Sequence, residues 1–331
     1  MIYSFIIPVY NRPDEIEELL ESLSQQTYQN DFEVVVVEDG SSLSCENVVN
    51  KYRDLLSVSY YYKENSGPGA SRNYGMQKAK GSYFIILDSD CLLPDSYLQK
   101  VDECLKNDYV DCFGGPDNAA ASFSDIQKAI NFAMTSFITT GGIRGGSEQI
   151  GKFQPRSFNM GLSKKAFEAT QGFGKIHPGE DPDLVIRLWK MGYETRLFEP
   201  AYVYHKRRID WQKFYRQVNK FGKARPILNQ RYPEYSKITF WFPTLFCLFF
   251  ILAVSSAVLG NFYMGALFVL YFIVLYISAL LRTKDFKIAA YAIIATLIQF
   301  YGYGSGFLKS NFKLFVLNQK AEEAMPEMFF K

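Results

Sequence analysis

The stretch YFIILDSDCLLPDSYL, residues 83–98, runs from an apolar strand pattern into two carboxylates, Asp88 and Asp90, and then into a predicted helix after Pro94. A short apolar run of this kind is typical of a strand buried on both faces of a parallel sheet. The isolated Asp-x-Asp spacing allows two interpretations. It offers two hard oxygen ligands to Mg²⁺ or Mn²⁺, or it forms an Asx turn in which Asp90 or Asp95 caps the helix.

Three earlier apolar runs have the same form: YSFIIPV (3–9), FEVVVVED (32–39) and VSYYYK (58–63). Each is followed by a segment with helical periodicity. Four successive alternations of strand and helix predict an α/β fold, with a mostly parallel sheet covered by helices.

The four strand ends, PVYNRPDE, EDGSS, KENSGPGASRN and DSD, are rich in polar and turn-forming residues. In open parallel sheets, ligands bind at the carboxyl ends of the strands, so four such ends together indicate one polar ligand. Any single one of them is also compatible with a plain turn.

Composition divides the chain into parts. Of its 331 residues 48% are hydrophobic, which excludes a disordered polymer. Residues 1–204 hold 19 basic and 28 acidic residues, whereas 205–237 hold 10 and 2. We therefore expect an acidic globular domain, 1–204, and a basic segment, 205–237. The five cysteines have neither CxxC nor metal-ligand spacing, which predicts a reducing compartment without a disulfide framework.

The segment from Ile238 to Leu281 has 44 consecutive residues without Asp, Glu, Lys, Arg or His. As one helix it would be about twice the hydrocarbon thickness of a bilayer, and LGNF at 259–262 supplies turn residues. The pattern predicts a transmembrane helical hairpin over 238–281, with a hairpin buried inside a soluble protein as the alternative. Within 282–331, a further uncharged run, 288–308, contains Gln299 and YGYGSG and could span, re-enter or lie in the interface.

Orientation follows from the basic residues that flank the hairpin. The basic segment precedes it and RTKDFK follows it, so both hairpin ends are expected on the cytoplasmic side of the cytoplasmic (inner) membrane. The first 20 residues lack a basic leader and a cleavage site, so no signal peptide is expected. Domain 1–204 should then face the cytoplasm.

Four segments carry a family resemblance: FIIPVYNRPDEIEELLESLSQQTY, EVVVVEDGSS, NSGPGASRNYGMQKAKGSYFIILDSDCLLP and GEDPDLVIRLWKMGYE. In this order they resemble the family 2 glycosyltransferases with the GT-A fold, over roughly residues 3–222. The resemblance implies a Rossmann-like, mostly parallel sheet with helices on both faces, followed here by C-terminal transmembrane helices.

The resemblance also implies a nucleotide-sugar site. Asp39 would accept a hydrogen bond from an N–H of the base, although a plain DGS turn also explains it. Arg72 and Asn73 would contact nucleotide and diphosphate, and Asp88 the sugar or ribose hydroxyls. The full implied set is Pro8, Tyr10, Asn11, Asp39, Arg72, Asn73 and Asp88.

Asp181 in GEDPDL matches the family's base, which removes a proton from the acceptor hydroxyl in a single inverting displacement. Complementing the dipole of the following helix is the alternative role for this acidic cluster. Asp90 would hold Mg²⁺ or Mn²⁺. His205 would approach the metal or diphosphate, with a purely structural histidine left open.

Four further residues would lie near the acceptor or donor sugar: Asn159, Met160, Glu180 and Gln217. Processive polysaccharide synthases of the family carry QxxRW where this chain has QVNKF, with Lys220 and Phe221 in place of Arg and Trp. The difference favours addition of a single sugar.

The sequence thus predicts a membrane-anchored, inverting, metal-dependent glycosyltransferase. Its donor would be a nucleoside diphosphate sugar, with UDP favoured, and its acceptor a lipid-linked or other membrane molecule. Membrane lipids are expected partners and nucleic acid is not. The alternatives are a processive polysaccharide synthase and, from another class, a non-catalytic membrane scaffold or sugar-nucleotide sensor.

Two segments keep two interpretations each. Aromatic and apolar residues at helical spacing in 211–223, with lysines and Arg216 around them, predict an interfacial amphipathic helix or a helix packed on the globular domain. The Gly-rich segment 141–151 is predicted to be a mobile loop or an active-site lid.

Overall fold

The computed structural model describes residues 1–118, 120, 122–141, 152–206 and 210–330. Its chain divides into two compact units. The first comprises Met1–Ala120, Gln149–Lys206 and Phe329–Lys331, and the second Ala121–Glu148 and Arg207–Met328. Residues 142–151 of the Gly-rich segment, and Arg207 and Arg208 of the basic segment, lie outside the described residues.

The described strands are β1 (Tyr3–Val9), β2 (Phe32–Asp39), β3 (Ser57–Lys63), β4 (Tyr83–Leu87), β5 (Cys91–Leu92), β6 (Cys112–Gly114), β7 (Asp117–Asn118), β8 (Asn159–Ser163), β9 (Thr195–Leu197) and β10 (Val203–His205). The helices are α1 (Pro13–Ser24), α2 (Glu46–Lys51), α3 (Pro68–Lys78), α4 (Tyr97–Asn107), α5 (Asp125–Thr135), α6 (Phe137–Thr140), α7 (Lys164–Thr170), α8 (Glu180–Lys190), α9 (Trp211–Arg231), α10 (Phe242–Val258), α11 (Tyr263–Thr283), α12 (Phe286–Asn311) and α13 (Ala321–Ala324). Short helical turns cover Pro233–Tyr235, Ile238–Trp241, Phe312–Val316 and Pro326–Met328.

A seven-stranded sheet organises the described part of the first unit, in the order β3-β2-β1-β4-β8-β6-β9. The four strands predicted from the apolar runs lie side by side and parallel. β8 is antiparallel to both β4 and β6, and β9 runs parallel to β6. The sheet is therefore mostly parallel, as the alternation of strands and helices predicts.

The two faces of the sheet bury separate cores because successive side chains of a strand point to opposite faces. On one face, Phe5 and Ile7 of β1 pack with residues from α1, α2 and α4, such as Leu19. On the other face, Ile6 packs with residues from α3, α7 and α8, such as Leu184. Helices thus cover both faces of the sheet.

A smaller sheet, β5-β10-β7, lies beyond the carboxyl end of β4. β10 is antiparallel to β5, with His205 opposite Cys91, and parallel to β7. This pairing brings the end of β10 beside the Asp-x-Asp sequence that links β4 to β5.

The second unit contains α5, α6 and α9 to α13. Among the described residues, three segments are long and apolar enough to cross a membrane: Ile238–Val258, Tyr263–Thr283 and Phe286–Val316. The first two flank the predicted LGNF turn, and the run 288–308 lies within α12. Composition and length thus support a membrane-associated protein, while the predicted domain boundaries and membrane side stay predictions.

The long helix α9 buries one face within the second unit. Phe214 and Val218 pack with Ala295 of α12 and with Ile130 and Ala133 of α5. The side-chain amide of Asn219 donates a hydrogen bond of 3.0 Å to the Gly302 carbonyl. The apolar face that was expected to meet lipid or the globular domain therefore meets other helices, while Lys213 and Lys220 remain exposed.

Candidate active site

A buried arginine connects two parts of the strand-end region. Arg72 on α3 is 3% exposed, and its Nη2 donates a 2.6 Å hydrogen bond to Asp88 Oδ1, just beyond β4. Its Nη1 lies 3.3 Å from Glu180 Oε1 at the start of α8. The guanidinium also stands 5.2 Å from the centre of the Phe173 ring. Arg72 therefore joins the Asp-x-Asp loop to the predicted base region.

The start of α3 is held by the end of β2. The backbone N–H groups of Ser66 and Gly67 each donate a 2.9 Å hydrogen bond to the Asp39 carboxylate, and Lys63 pairs with the same group. Gly67 has φ +91°, a conformation that glycine adopts without strain. These contacts fix the glycine-containing turn that delivers Arg72.

The same contacts bear on the predicted role of Asp39. They occupy three of about four acceptor positions on a carboxylate, and the residue is only 3% exposed. Its main contacts in this structure thus organise the turn before α3. Recognition of a base by Asp39 stays a prediction. About one acceptor position of the carboxylate is left for it.

Glu180 and Asp181 are neighbours in the chain whose pKa values are displaced in opposite directions. Burial opposes ionisation of Glu180, but the interactions with His177 and Arg72 outweigh it and lower the pKa of Glu180. Burial and the adjacent Glu180 charge raise the pKa of Asp181, against the opposing effects of Arg72 and Arg156. One carboxylate is held as a fixed anion, and the other is made a stronger base.

The environment of Asp181 suits proton transfer. Its Oδ1 is buried and has no hydrogen-bond partner among the described residues. A carboxylate oxygen without a protein donor is able to accept a proton from a bound hydroxyl group. Glu180, by contrast, accepts hydrogen bonds from the Gly179 N–H and contacts His177 Nδ1 at 2.8 Å.

The second group of residues surrounds Asp90. The carboxylate is 8% exposed, with Oδ1 3.2 Å from His205 Nε2 and Oδ2 3.3 Å from Arg12 Nη1. The antiparallel pairing of β5 and β10 explains the proximity, because it places His205 opposite the residue after Asp90. Asp90 thus contacts a histidine that the sequence places 115 positions later.

Asp90 and His205 form a donor set that fits a divalent ion. A carboxylate oxygen and an imidazole nitrogen suit Mn²⁺ and related metals. His205 stacks on Phe158 at 4.8 Å, and its Nδ1 faces Asp117 at 3.7 Å, the arrangement in which a second carboxylate orients a metal-binding ring. Cys91 is in the same cluster, but its Sγ contacts the Phe158 carbonyl and burial raises the pKa of its thiol.

The end of β1 forms another wall of the region. The Asn11 side-chain oxygen accepts hydrogen bonds from the N–H groups of Ser42 and Leu43, so it ties the loops after β1 and β2 together. Tyr10 is 51% exposed and Pro8 is partly buried near the end of β1. Of these three predicted nucleotide contacts, Tyr10 has the most accessible side chain.

Three predicted site residues have side chains that are engaged by other parts of the protein. The Asn73 side-chain amide donates a 2.9 Å hydrogen bond to the Phe173 carbonyl and accepts one of 2.8 Å from the Phe173 N–H. Asn159 is fully buried and bonds to Tyr97 and the Ala201 carbonyl. Met160 is a core residue, also fully buried. Asn159 and Met160 are therefore packed in the interior and Asn73 holds a loop, while the predicted roles of all three at the nucleotide-sugar site stay predictions.

Gln217 lies on α9 in the second unit, and its predicted role stays a prediction. Sequence reasoning missed Arg12, His177 and Asp117, which contact Asp90, Glu180 and His205 respectively. Arg12 follows the polar end of β1, a signal that could have found it. His177 is one of only two histidines and stands three residues before Glu180.

Comparison with known proteins gives the family. The model of "Glycosyl transferase family 2" matches residues 4–170, which contain β1 to β4 and the Asp-x-Asp sequence. The chain belongs to this family of glycosyltransferases.

Individual relatives match parts of the chain. Poly(ribitol-phosphate) beta-N-acetylglucosaminyltransferase TarS of Staphylococcus aureus is 41% identical over 93 residues, 27% of this chain and 16% of the relative. Chondroitin synthase of Escherichia coli is 28% identical over 235 residues, 61% of this chain and 34% of the relative. In such curated relatives the matched part is 13% to 34% of the relative's length.

Among solved structures, a mannosyltransferase from Pyrobaculum calidifontis, in complex with GDP-Man and Mn²⁺, superposes with a TM-score of 0.61. The alignment covers 91% of this chain and 87% of that one at 17% identity. This likeness supports the GT-A fold inferred from the sequence.

Proposed function

We propose that this chain is an inverting glycosyltransferase that moves a sugar from a nucleoside diphosphate sugar to a hydroxyl group of a membrane-associated acceptor. The observation that carries the proposal is the buried Arg72, bonded to Asp88 and to Glu180, with Asp181 beside it. This arrangement combines a cation near the predicted diphosphate site with a carboxylate of raised pKa.

In the proposed reaction, Asp181 accepts the proton of the acceptor hydroxyl while its oxygen attacks the anomeric carbon. The bond from that carbon to the diphosphate oxygen breaks in the same displacement, so the configuration inverts. Arg72 and the N-terminal end of α3 lie where negative charge on a diphosphate is favourable. Tyr10, Asn11, Asp39 and Asp88 would complete the nucleotide-sugar site.

Asp90 and His205 are the residues that would hold a divalent ion, Mg²⁺ or Mn²⁺. When bound, such an ion acts as a Lewis acid that stabilises charge on the departing diphosphate. Support comes from their 3.2 Å separation, the burial of Asp90 and the Asp117 carboxylate behind His205. Arg12 balances the Asp90 charge from the other side.

The membrane-associated acceptor is inferred from the three apolar helices. A lipid-linked glycan or another lipid with a free hydroxyl fits an enzyme anchored at the cytoplasmic face. The basic residues around the hairpin support that orientation in the cytoplasmic membrane. Lys220 and Phe221 support a single addition rather than processive synthesis.

The test is a donor screen with membranes that contain the chain, measuring nucleoside diphosphate release from UDP-, GDP- and dTDP-sugars in the presence of Mn²⁺. A UDP-sugar is the expected donor. Mass analysis of the lipid extract then identifies the acceptor and counts the sugars added. More than one sugar per acceptor would favour a processive synthase.

Asp181→Asn is the decisive variant. Loss of a general base typically lowers kcat by about 10²- to 10⁴-fold. Glu194→Gln is the matched control, because this carboxylate is 80% exposed at its side chain and lies on the same unit. Equal turnover by Asp181→Asn and wild type would remove the proposed base. Donor binding without turnover by the wild type would favour a sugar-nucleotide sensor.

A further inference from the structure

Two residues near the end of the sequence belong to the first unit rather than the second. Phe329 forms an antiparallel bridge with Ile176, and the Phe330 N–H donates a 3.1 Å hydrogen bond to the Lys175 carbonyl. The segment Phe329–Phe330 therefore lies along residues 175–177, immediately before the Glu180 and Asp181 pair.

The Phe330 ring contacts two elements of the candidate site. Its centre is 5.6 Å from the centre of the His177 ring. It also lies against Gly67, where an added Cβ would be 2.3 Å from Phe330 Cδ2. One side chain thus touches both the turn that begins α3 and the histidine beside Glu180.

His177 has contacts on two sides. Its Nδ1 is 2.8 Å from Glu180 Oε1, and its side chain is 36% exposed. A partly exposed ring on a loop is free to rotate unless a neighbour restricts it. In this structure Phe330 is such a neighbour, and aromatic pairs at this separation contribute to packing beyond the area that they bury.

We propose that Phe330 is a positioning residue of the active site, holding the His177 ring against Glu180 and so fixing the carboxylate pair for transfer. The inference rests on the proposed function, because it assigns Phe330 a part in the orientation of Asp181.

Three successive contacts link Phe330 to the candidate site. Phe330 restricts His177, His177 holds Glu180, and Glu180 shares the Arg72 guanidinium with Asp88. If His177 turns away, Glu180 loses a partner and the guanidinium is less firmly held. Misplacement of a reacting group by about 1 Å can cost 10²-fold in rate, so a partial loosening has a measurable effect.

The kinetic test compares wild type with Phe330→Ala, Phe330→Tyr and the control Phe315→Ala, whose ring is 54% exposed in the second unit. We expect Phe330→Ala to lower kcat about tenfold with the donor KM within about twofold. Phe330→Tyr keeps the ring and should retain wild-type kcat, as should Phe315→Ala. Wild-type kcat in Phe330→Ala, or a change confined to KM, would overturn the inference.

A double variant separates positioning through His177 from a general structural effect. Phe330→Ala combined with His177→Ala should be no slower than His177→Ala alone, since the second change removes the residue through which the first acts. If the two losses multiply, Phe330 does not act through His177.

A chemical measurement keeps the inference testable if the wild type releases no nucleoside diphosphate, an outcome that would refute the proposed function alone. The chain has two histidines, His177 and His205, so modification by diethyl pyrocarbonate can be followed at each by peptide mass. His177 should react several-fold faster in Phe330→Ala than in wild type or Phe315→Ala, with His205 unchanged. Equal His177 rates would show that Phe330 does not restrict the ring.

Discussion

Arg72 Nη1 lies 3.3 Å from Glu180 Oε1, although the two residues are 108 positions apart in the chain. The contact joins the N-terminal part of α3 to the first residue of α8, and it is almost inaccessible to solvent on both sides. Arg72 and Glu180 thus contribute both to the candidate active site and to the stability of the first unit.

Replacing Arg72 should therefore destabilise the first unit. Arg72→Met leaves the Glu180 carboxylate buried without its guanidinium, and removing one partner of a buried pair costs about 3–5 kcal/mol of the free energy of unfolding. Thermal melting of the detergent-solubilised protein measures the change. Arg53→Met, at an exposed arginine, is the control and should stay within about 0.5 kcal/mol. An unchanged melting temperature in Arg72→Met would contradict the prediction.

The opposite pKa displacements of Glu180 and Asp181 predict a shift in the pH profile. As a base, Asp181 must be ionised, so kcat/KM falls as the pH drops through its raised pKa. Glu180→Gln removes the neighbouring negative charge and should lower the pKa of Asp181. The acid limb then moves to lower pH, even if the maximal rate is reduced. A shift to higher pH would show that Glu180 does not act on Asp181 in this way.

The metal site predicts a stabilisation that does not depend on turnover. A ligand present at a hundredfold excess over its Kd stabilises the folded state by about 2.7 kcal/mol. Mn²⁺ should raise the melting temperature of the wild type and of Asp95→Asn, at an exposed carboxylate, and EDTA should reverse the effect. Asp90→Asn and His205→Ala should each lose most of it. An equal response in Asp90→Asn would place the ion elsewhere.

Close packing between α9 and α12 predicts that Gly306 tolerates no larger side chain. A Cβ there would lie 2.3 Å from the Asn219 carbonyl oxygen, on the backbone of α9. Gly306→Val should lower thermal stability by about 1–3 kcal/mol through overpacking. Gly265→Val is the matched control, since nothing lies within 4 Å of a Cβ at that position of α11. Equal stability of the two variants would contradict the helix contact.

The four parallel strands could be predicted from the sequence because each strand has a recognisable local pattern of apolar residues. The runs that end at Val9, Asp39, Lys63 and Leu87 are apolar on both faces, and such strands pair in parallel. The same reasoning brought Arg72, Asp88 and Asp90 to one edge of the sheet. The turn at 259–262 could also be predicted from its own residues. Gly260 lies between α10 and α11 with φ +84°, a conformation that favours glycine.

Side-chain direction was not accessible in the same way. Asn159 and Met160 belong to β8, which inserts antiparallel between β4 and β6, and this pairing turns both side chains into the interior. Asn73 faces Phe173, 100 residues later. These side-chain orientations depend on partners that are distant in sequence, so no local sequence pattern predicts them. The same limit hid the contacts of His177 with Phe330 and of His205 with Asp117.

The bridge between Ile176 and Phe329 also limits how the chain can thread a bilayer. The chain leaves the first unit after Lys206 and returns to it at Phe329, so we expect both points on the same side of a membrane that the intervening helices enter. A path that starts and finishes on one side crosses an even number of times. We therefore predict that two of the three apolar helices described cross the bilayer, as in the hairpin predicted for residues 238–281, and that the third does not.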